Sequence, residues 1–290
     1  MTTSEKVKLS MCSSRAGEFL MKRKFIIEYL LIYLSNNRSI LVMQHGNRKF
    51  STKSKLGNSL EKNTFDPIYD VYHTSQKLQT IFNMKSCRIT VSTNDLKPEC
   101  FKPLFATILS GSYNRLVLAG ECINSEHLLD LMDKARLNIE LHISVFIRGD
   151  FRHDNAFKFQ SFTYLHSHWA RIEDLKSIRN SDEIRLKDTK FNCGDINSFL
   201  HYWVGCEEDM LNYLIVELEK NEKVDEQIIL KDIKTYNATH DKKCGTFMIN
   251  AADRKQRLLL VGKLTIYEGK NMVSLQTYHA TAEGRNNFLQ

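Results

Sequence analysis

A short apolar run, Arg88-Ile89-Thr90-Val91, begins a series of five such runs that recur about 21 to 27 residues apart. The other four are Arg115-Leu116-Val117-Leu118, Ile139-Glu140-Leu141-His142-Ile143, Phe162-Thr163-Tyr164-Leu165 and Glu183-Ile184-Arg185-Leu186. Alternation of such runs with helical stretches is typical of a parallel sheet with helices on its back. The spacing falls within the range of leucine-rich repeats. We therefore predict an α/β chain that contains a short, irregular leucine-rich-repeat-like solenoid.

Two helices are expected between the first three runs. The first has apolar residues at i, i+3, i+4, i+7 and i+8, which form one helix face: Phe101, Leu104, Phe105, Ile108 and Leu109. The second has a buried stripe made of Leu128, Leu129, Met132 and Ala135. The runs lack the asparagine ladder of a regular leucine-rich repeat, and residues 149–158 interrupt the period. The solenoid is therefore expected to be irregular.

Three segments outside the runs have simpler patterns. The apolar stretch 25–34 is about half as long as a helix that spans a bilayer, and it contains Glu28. It therefore predicts a core helix and no membrane span. Residues 46–63 are polar and rich in Lys, Ser and Asn, which indicates a linker or a long loop. The residues after Thr281 have the pattern of a frayed tail.

The C-terminal third is expected to mix a helix with strands. Four apolar residues lie at helical spacing, namely Ile196, Phe199, Leu200 and Trp203, and Asn192 can cap this helix. Residues 211–218 predict a strand. Residues 246–249 and 258–267 predict a hairpin that closes through residues 253–256.

The composition indicates a soluble intracellular protein with a real core, since 42% of its residues are hydrophobic and 10% are aromatic. Its seven cysteines are an odd number without a C-x-x-C pair, which favours free thiols in the cytoplasm or nucleus. The net charge of +7 combines 41 basic with 34 acidic residues and is weak evidence for nucleic-acid binding. Neither G-x-G-x-x-G nor G-x-x-x-x-G-K occurs, so nucleotide-dependent chemistry is not expected.

Two stretches resemble a known family, the nematode F-box proteins that carry a type 2 F-box associated domain. One is Trp169 to Leu175, followed by Ile184 to Leu186 and by Asp195-Ile196-Asn197-Ser198-Phe199-Leu200-His201-Tyr202-Trp203-Val204-Gly205. It is similar to the tryptophan, helix, strand and second helix of the associated domain, where an asparagine and a tryptophan have fixed places. The other is Glu5-Lys6-Val7-Lys8-Leu9-Ser10-Met11-Cys12-Ser13-Ser14-Arg15-Ala16, which resembles the helix that ends an F-box.

The resemblance implies an adaptor. An F-box docks on the linker subunit of a cullin-type ubiquitin ligase, and the associated domain is thought to hold the substrate. Leu9 and Cys12 are then expected to contribute to protein binding. The segment that opens an F-box would lie before Met1, so we expect an N-terminally truncated F-box. The expected parts are an F-box remnant with a core helix (1–45), a leucine-rich-repeat-like α/β region (46–160), a mixed α/β F-box associated domain (161–270) and a tail (271–290).

The other candidate protein-binding residues form two sets. Side chains at alternate positions of a strand point to the same face, so the outward positions of the solenoid are expected to meet a partner: Arg88, Arg115, Glu140 and His142. Positions off the apolar face of the 195–205 helix, or just after it, form a second set: His201, Tyr202, Glu207 and Glu208.

The sequence favours a binding protein over an enzyme. His166 and His168 lack two further metal ligands at suitable spacing, so we expect neither a metal site nor a cofactor, although a Cys/His dyad can form between residues distant in sequence. The main hypothesis is a substrate-recognition subunit with an unknown protein substrate and the ligase linker as partners. The alternative is a stand-alone protein-binding module. A nucleic-acid-binding protein is a third hypothesis, based on basic clusters near residues 22–24, 48–55 and 254–257.

Overall fold

The computed structural model describes Glu5, Glu18 and the ranges 26–35, 38–45, 47–55, 66–94, 96–148, 150–241, 244–250, 259–267 and 271–280. The chain divides into two compact units, 1–148 and 149–290, and both contain strands and helices. The predicted mixed α/β class is therefore confirmed. Within the described ranges, none of the helices is long and apolar enough to cross a lipid bilayer.

The first unit has ten strands and three helices among its described residues. The strands are β1 (Ile26–Ile27), β2 (Tyr29–Leu34), β3 (Arg38–His45), β4 (Arg48–Lys55), β5 (Asn83–Met84), β6 (Cys87–Ser92), β7 (Arg115–Ala119), β8 (Cys122–Asn124), β9 (Glu140–Ile143) and β10 (Phe146–Arg148). The helices are α1 (Asp66–Ile81), α2 (Pro98–Leu109) and α3 (Ser125–Lys134). Strands β2, β6, β7 and β9 lie side by side and parallel, and β3 and β4 continue the sheet beyond β2 as antiparallel strands.

The strands predicted near residues 88, 115 and 139 are confirmed as β6, β7 and β9. Two other predictions for this unit are wrong. The expected core helix at 25–34 is replaced by β1 and β2, because β2 buries every second residue and pairs with β3 on one side and β6 on the other. The expected linker at 46–63 contains β4, a strand with one hydrogen-bonded neighbour, and a polar edge strand is a common arrangement.

The three helices form one layer. The hydroxyl of Tyr72 in α1 donates a hydrogen bond to the carbonyl of Ile108 in α2 (3.4 Å). The rings of Phe101 in α2 and His127 in α3 stack with centroids 4.7 Å apart. The predicted stripe of α2 is confirmed, since all five of its residues are buried. In α3 the buried residues are Leu128, Leu131 and Met132, so Leu131 takes the place predicted for Leu129. Helix α1 was not expected from the sequence.

Polar side chains near the ends of β6 and β7 connect neighbouring parts of the first unit. The side-chain oxygen of Asn114 accepts a hydrogen bond from the backbone N–H of Cys87 (2.8 Å). The side-chain oxygen of Asn94 accepts from the backbone N–H of Glu121 (2.6 Å). Each bond joins residues 27 positions apart, the same separation as between the register partners Arg88 and Arg115. These two asparagines therefore satisfy backbone N–H groups of a neighbouring strand or loop.

The second unit has seven strands and three helices among its described residues. The strands are β11 (Ser161–Tyr164), β12 (Ser181–Leu186), β13 (Leu211–Glu217), β14 (Thr235–Asp241), β15 (Cys244–Asn250), β16 (Leu259–Tyr267) and β17 (Met272–Ala280). The helices are α4 (Ile172–Lys176), α5 (Cys193–Gly205) and α6 (Glu226–Ile229). Their order in the sheet is β11-β12-β13-β17-β16-β15-β14, with the first three parallel and the rest antiparallel.

The predicted strand at 211–218 and the predicted hairpin are confirmed as β13 and as β15 with β16. The expected tail from residue 271 is wrong over residues 272–280, because β17 pairs with both β13 and β16. The expected boundary at residue 160 is also wrong. The ring of Phe151 lies 4.7 Å from that of Trp169, and the ring of Phe157 lies 5.5 Å from that of Phe162. These contacts attach residues 150–160 to the second unit.

Helix α5 is fixed at its start and along its length. Asn192 and Asp195 form a reciprocal capping box, in which the side chain of each accepts a hydrogen bond from the backbone N–H of the other. The predicted apolar face is confirmed, and its Trp203 is completely buried. A Cβ atom at Gly262 of β16 would lie 2.6 Å from the Trp203 ring. Gly262 therefore provides the space in which the indole packs on the sheet.

We predict that Gly262→Ala lowers the free energy of unfolding by about 1–3 kcal/mol, because overpacking a closed core forces side chains out of place. Gly205→Ala is the matched control, since a Cβ atom there meets nothing within 4 Å. Urea unfolding followed by tryptophan fluorescence measures both effects, because Trp169 and Trp203 are the chain's two tryptophans and both lie in the second unit. Equal stability of the two variants would contradict this packing.

Candidate protein-binding surface

The sheet of the first unit has one covered face and one open face. Side chains on the covered face, such as those of Ile89, Leu116 and Leu141, are at most 1% exposed. The opposite face carries no described helix, and most of its side chains are half-exposed. We define the open face by two rows of residues in register across β2, β6, β7 and β9: Leu31, Arg88, Arg115 and Glu140, and Tyr33, Thr90, Val117 and His142.

The structure brings four sequence-predicted residues together on the open face. Arg88, Arg115 and Glu140 are consecutive in one row, and His142 ends the other row. They meet because the strands are parallel with residues 88, 115 and 140 in register, so outward positions of adjacent strands become neighbours. Thr90 and Val117, which lie in the same row as His142, have shorter side chains and are buried. A binding role for these four residues stays a prediction.

The charges on the open face are only partly paired. Arg115 Nη2 lies 3.0 Å from Glu140 Oε1, and their side chains are 36% and 39% exposed. The Nε atoms of Arg88 and Arg115 are buried and have no hydrogen-bond partner among the described residues. Among the described residues, the row of Arg88, Arg115 and Glu140 thus holds one carboxylate and two guanidinium groups, and the carboxylate pairs with Arg115. The side chains of Leu31, Tyr33, Ile40 and Val42 continue the same face as a half-exposed apolar area.

The second predicted set lies in the second unit and is largely occupied by internal contacts. The hydroxyl of Tyr202 accepts a hydrogen bond from Arg179 Nη2 (2.9 Å), and the same guanidinium pairs with Glu208. His201 Nε2 lies 3.0 Å from the carbonyl oxygen of Lys231. Glu207 is exposed. These contacts give Tyr202, Glu208 and His201 a structural role, and Arg179 and Lys231 were not identified from the sequence.

Leu9 and Cys12, the predicted binding residues of the F-box remnant, lie outside the described residues. The same holds for nearly all of the stretch 5–24, of which the structure describes Glu5 and Glu18. The F-box part of the resemblance therefore rests on the sequence.

A cleft of about 600 Å³ lies in the first unit between the end of α1 and the starts of β6 and β7. Its lining includes Gln79, Lys85, Cys87 and Tyr113. Gln79 Nε2 donates to the sulfur of Cys87 (3.3 Å), and burial raises the pKa of this thiol to about 12. Because the thiolate is the nucleophilic form, Cys87 stays a protonated, unreactive thiol near neutral pH.

A second cleft, of about 380 Å³, lies in the second unit. Phe151, Phe157 and Trp169 line its apolar part, and Arg152 and Asp154 are among its polar lining residues. The indole of Trp169 donates a hydrogen bond to the carbonyl of His166 (3.1 Å). The sequence signal for the apolar part of this cleft is the pair of phenylalanines within residues 149–158, a segment that interrupts the spacing of the apolar runs. Within the described ranges, no group of three or more His, Cys, Asp or Glu side chains is arranged to hold a metal ion.

The open face predicts that substitutions at two adjacent residues, Glu140 and Leu141, have different effects on stability. Glu140→Gln should change the free energy of unfolding by less than about 1 kcal/mol, because half-exposed ion pairs contribute little. Leu141→Ala, one position further on the covered face, should cost about 2–5 kcal/mol. Urea unfolding followed by circular dichroism compares them. Similar losses in both variants would show that residue 140 is not on an open face.

Cys87 provides an independent test of burial in the first cleft. At pH 8, iodoacetamide should modify Cys87 far more slowly than the half-exposed Cys122, because a pKa of about 12 instead of 9.0 reduces the thiolate population about a thousandfold. Mass spectrometry of timed digests measures both rates, and unfolding in urea should make them similar. Comparable rates in the folded chain would contradict the buried position of the thiol.

Comparison with known proteins gives this chain no family. No family model matches it, and no curated protein or solved structure matches it significantly. The resemblance to nematode F-box proteins with a type 2 F-box associated domain accordingly stays a prediction.

Proposed function

We propose that this chain is a protein-binding recognition subunit that uses the open face of its first unit. The observation that carries the proposal is the combination on one rigid sheet of half-exposed apolar side chains with arginine and glutamate side chains. Protein interfaces are built from apolar and aromatic centres with polar groups around them, and arginine and tyrosine are enriched there. Residues held by paired strands also bind at a low cost in conformational entropy.

The fuller form of the proposal is an adaptor of a cullin-type ubiquitin ligase. In this form an F-box remnant docks on the linker subunit, an irregular leucine-rich-repeat-like array carries the open face, and residues 161–270 act as the F-box associated domain. Its support is the sequence resemblance at residues 5–16 and 169–205. The parallel neighbours β6, β7 and β9, each one repeat after the last, are the arrangement that a solenoid would have. A cytoplasmic or nuclear location belongs to the same proposal.

The alternative is a stand-alone binding module without ligase docking. This form uses the same open face, so the two forms differ only in whether the chain docks on the linker subunit of the ligase. A nucleic-acid-binding function would require the basic clusters at 22–24, 48–55 and 254–257 to converge. Of their basic side chains the structure describes that of Lys49, which is exposed.

Ligase docking is tested by retention of the chain on the purified, immobilised linker subunit, beside a version extended with a complete F-box. The adaptor form predicts retention of the 290-residue chain at micromolar concentration. Retention of the extended version alone would support the stand-alone form and contradict the adaptor form.

The open face itself is tested with two leucine-to-lysine substitutions. Leu31→Lys places a charge within the half-exposed face, whereas Leu137→Lys changes a leucine that is 37% exposed in the loop before β9. Proteins co-purifying with the tagged wild-type chain are quantified by mass spectrometry for each variant, after circular dichroism has confirmed folding. We expect Leu31→Lys to lose at least one protein that Leu137→Lys retains. Identical sets of proteins for all three chains would contradict the proposal.

A further inference from the structure

The open face places two arginines in an unusual position. Arg88 of β6 and Arg115 of β7 are direct register partners in a parallel pair, and neighbouring strands lie about 4.8 Å apart. Like charges directly opposite each other destabilise a sheet. Glu140 relieves this repulsion for one of them, because it is the register partner of Arg115 on the other side and forms an ion pair with it. Among the described residues, the row therefore keeps one guanidinium charge without a counter-ion.

That charge belongs to Arg88. Among the described residues its side chain has no ion-pair or hydrogen-bond partner, and its Nε atom is buried. Its neighbours across the sheet are Leu31 on one side and Arg115 on the other. The next residue of β6 on the same face is Thr90, which is buried. A charge beside apolar and partly desolvated groups attracts an opposite charge more strongly than a fully solvated one does.

The geometry also restricts the form of the anion. A guanidinium group is planar and binds a carboxylate through two parallel hydrogen bonds. Apolar side chains, those of Leu31, Tyr33 and Val42, lie on the side of Arg88 away from Arg115. A ligand that fills this area must therefore present one carboxylate next to apolar side chains, which is a property of a peptide segment.

We propose that the open face recognises a peptide segment of its partner in which an aspartate or glutamate, flanked by apolar residues, pairs with Arg88. This inference rests on the proposed function and specifies the chemistry of the partner. Arg115, held by Glu140, lies beside the incoming carboxylate and adds to its attraction. Arg88 thus acts as the specificity-determining residue, and the apolar side chains supply the buried contact area.

The test begins with a displayed library of random 12-residue peptides selected on the full chain. We expect the selected peptides to share an Asp or Glu next to apolar residues. Fluorescence anisotropy then compares one selected peptide with its Asn or Gln version, and we expect at least a tenfold weaker binding for the amide version. Arg88→Gln should weaken the acidic peptide by a similar factor and leave the amide version nearly unchanged. Arg148→Gln, an exposed arginine of β10 outside the open face, is the matched control and should change neither.

The outcomes separate this inference from the function on which it depends. Peptides without an acidic preference that still lose binding in Leu31→Lys would overturn the role of Arg88 and leave the open face as the binding surface. Selected peptides that bind Arg88→Gln and Leu31→Lys as tightly as wild type would overturn both. Single-stranded oligonucleotides could also displace the labelled peptide at a lower concentration than the unlabelled peptide does, with a steep dependence on salt. That result would show that the arginines bind phosphate, and it would overturn the peptide proposal.

Discussion

The pleat of the parallel strands in the first unit is the constraint on which its architecture and its candidate surface depend. Successive side chains of a strand point to opposite faces. Ile89, Leu116 and Leu141 are thereby placed on the buried face, and Arg88, Arg115 and Glu140 on the other face. A slip of one residue would bury Arg115 and expose Leu116 in β7, and it would bury Glu140 and expose Leu141 in β9. The same hydrophobic effect that fixes the core therefore fixes the row of charges.

The sequence predicted the elements whose pattern is local. The strands β6, β7 and β9 and the helices α2 and α5 were recognised because their periods of two or 3.6 residues are visible within a single segment. Strand β2 was mistaken for a helix, since a short apolar run has no decisive period. Strands β4 and β17 were missed because their pairing with β3 and β16 is decided by tertiary contacts that composition does not reveal.

For the candidate surface, the sequence predicted which residues point outward but not which of them are neighbours. Alternation alone identified Arg88, Arg115, Glu140 and His142 as outward positions, but register between strands whose paired residues are 27 or 25 positions apart decides which of them are neighbours. The ion pair of Arg115 with Glu140, and the lack of any described counter-ion for Arg88, follow from that register. The contacts of His201 and Tyr202 with Lys231 and Arg179 also join distant parts of the sequence, so a pattern within one helix could not predict them.

The most direct measurement of the central claim is photo-crosslinking from a benzoylphenylalanine placed at Tyr33, on the open face, or at Tyr202, an exposed tyrosine of the second unit. Both are tyrosine positions, so the two variants introduce the same change in the side chain. Each variant is mixed with a peptide or protein that the wild-type chain binds, the mixture is irradiated, and the adduct is mapped by mass spectrometry. The account predicts an adduct from position 33 and little from position 202. An adduct from position 202 alone would contradict it.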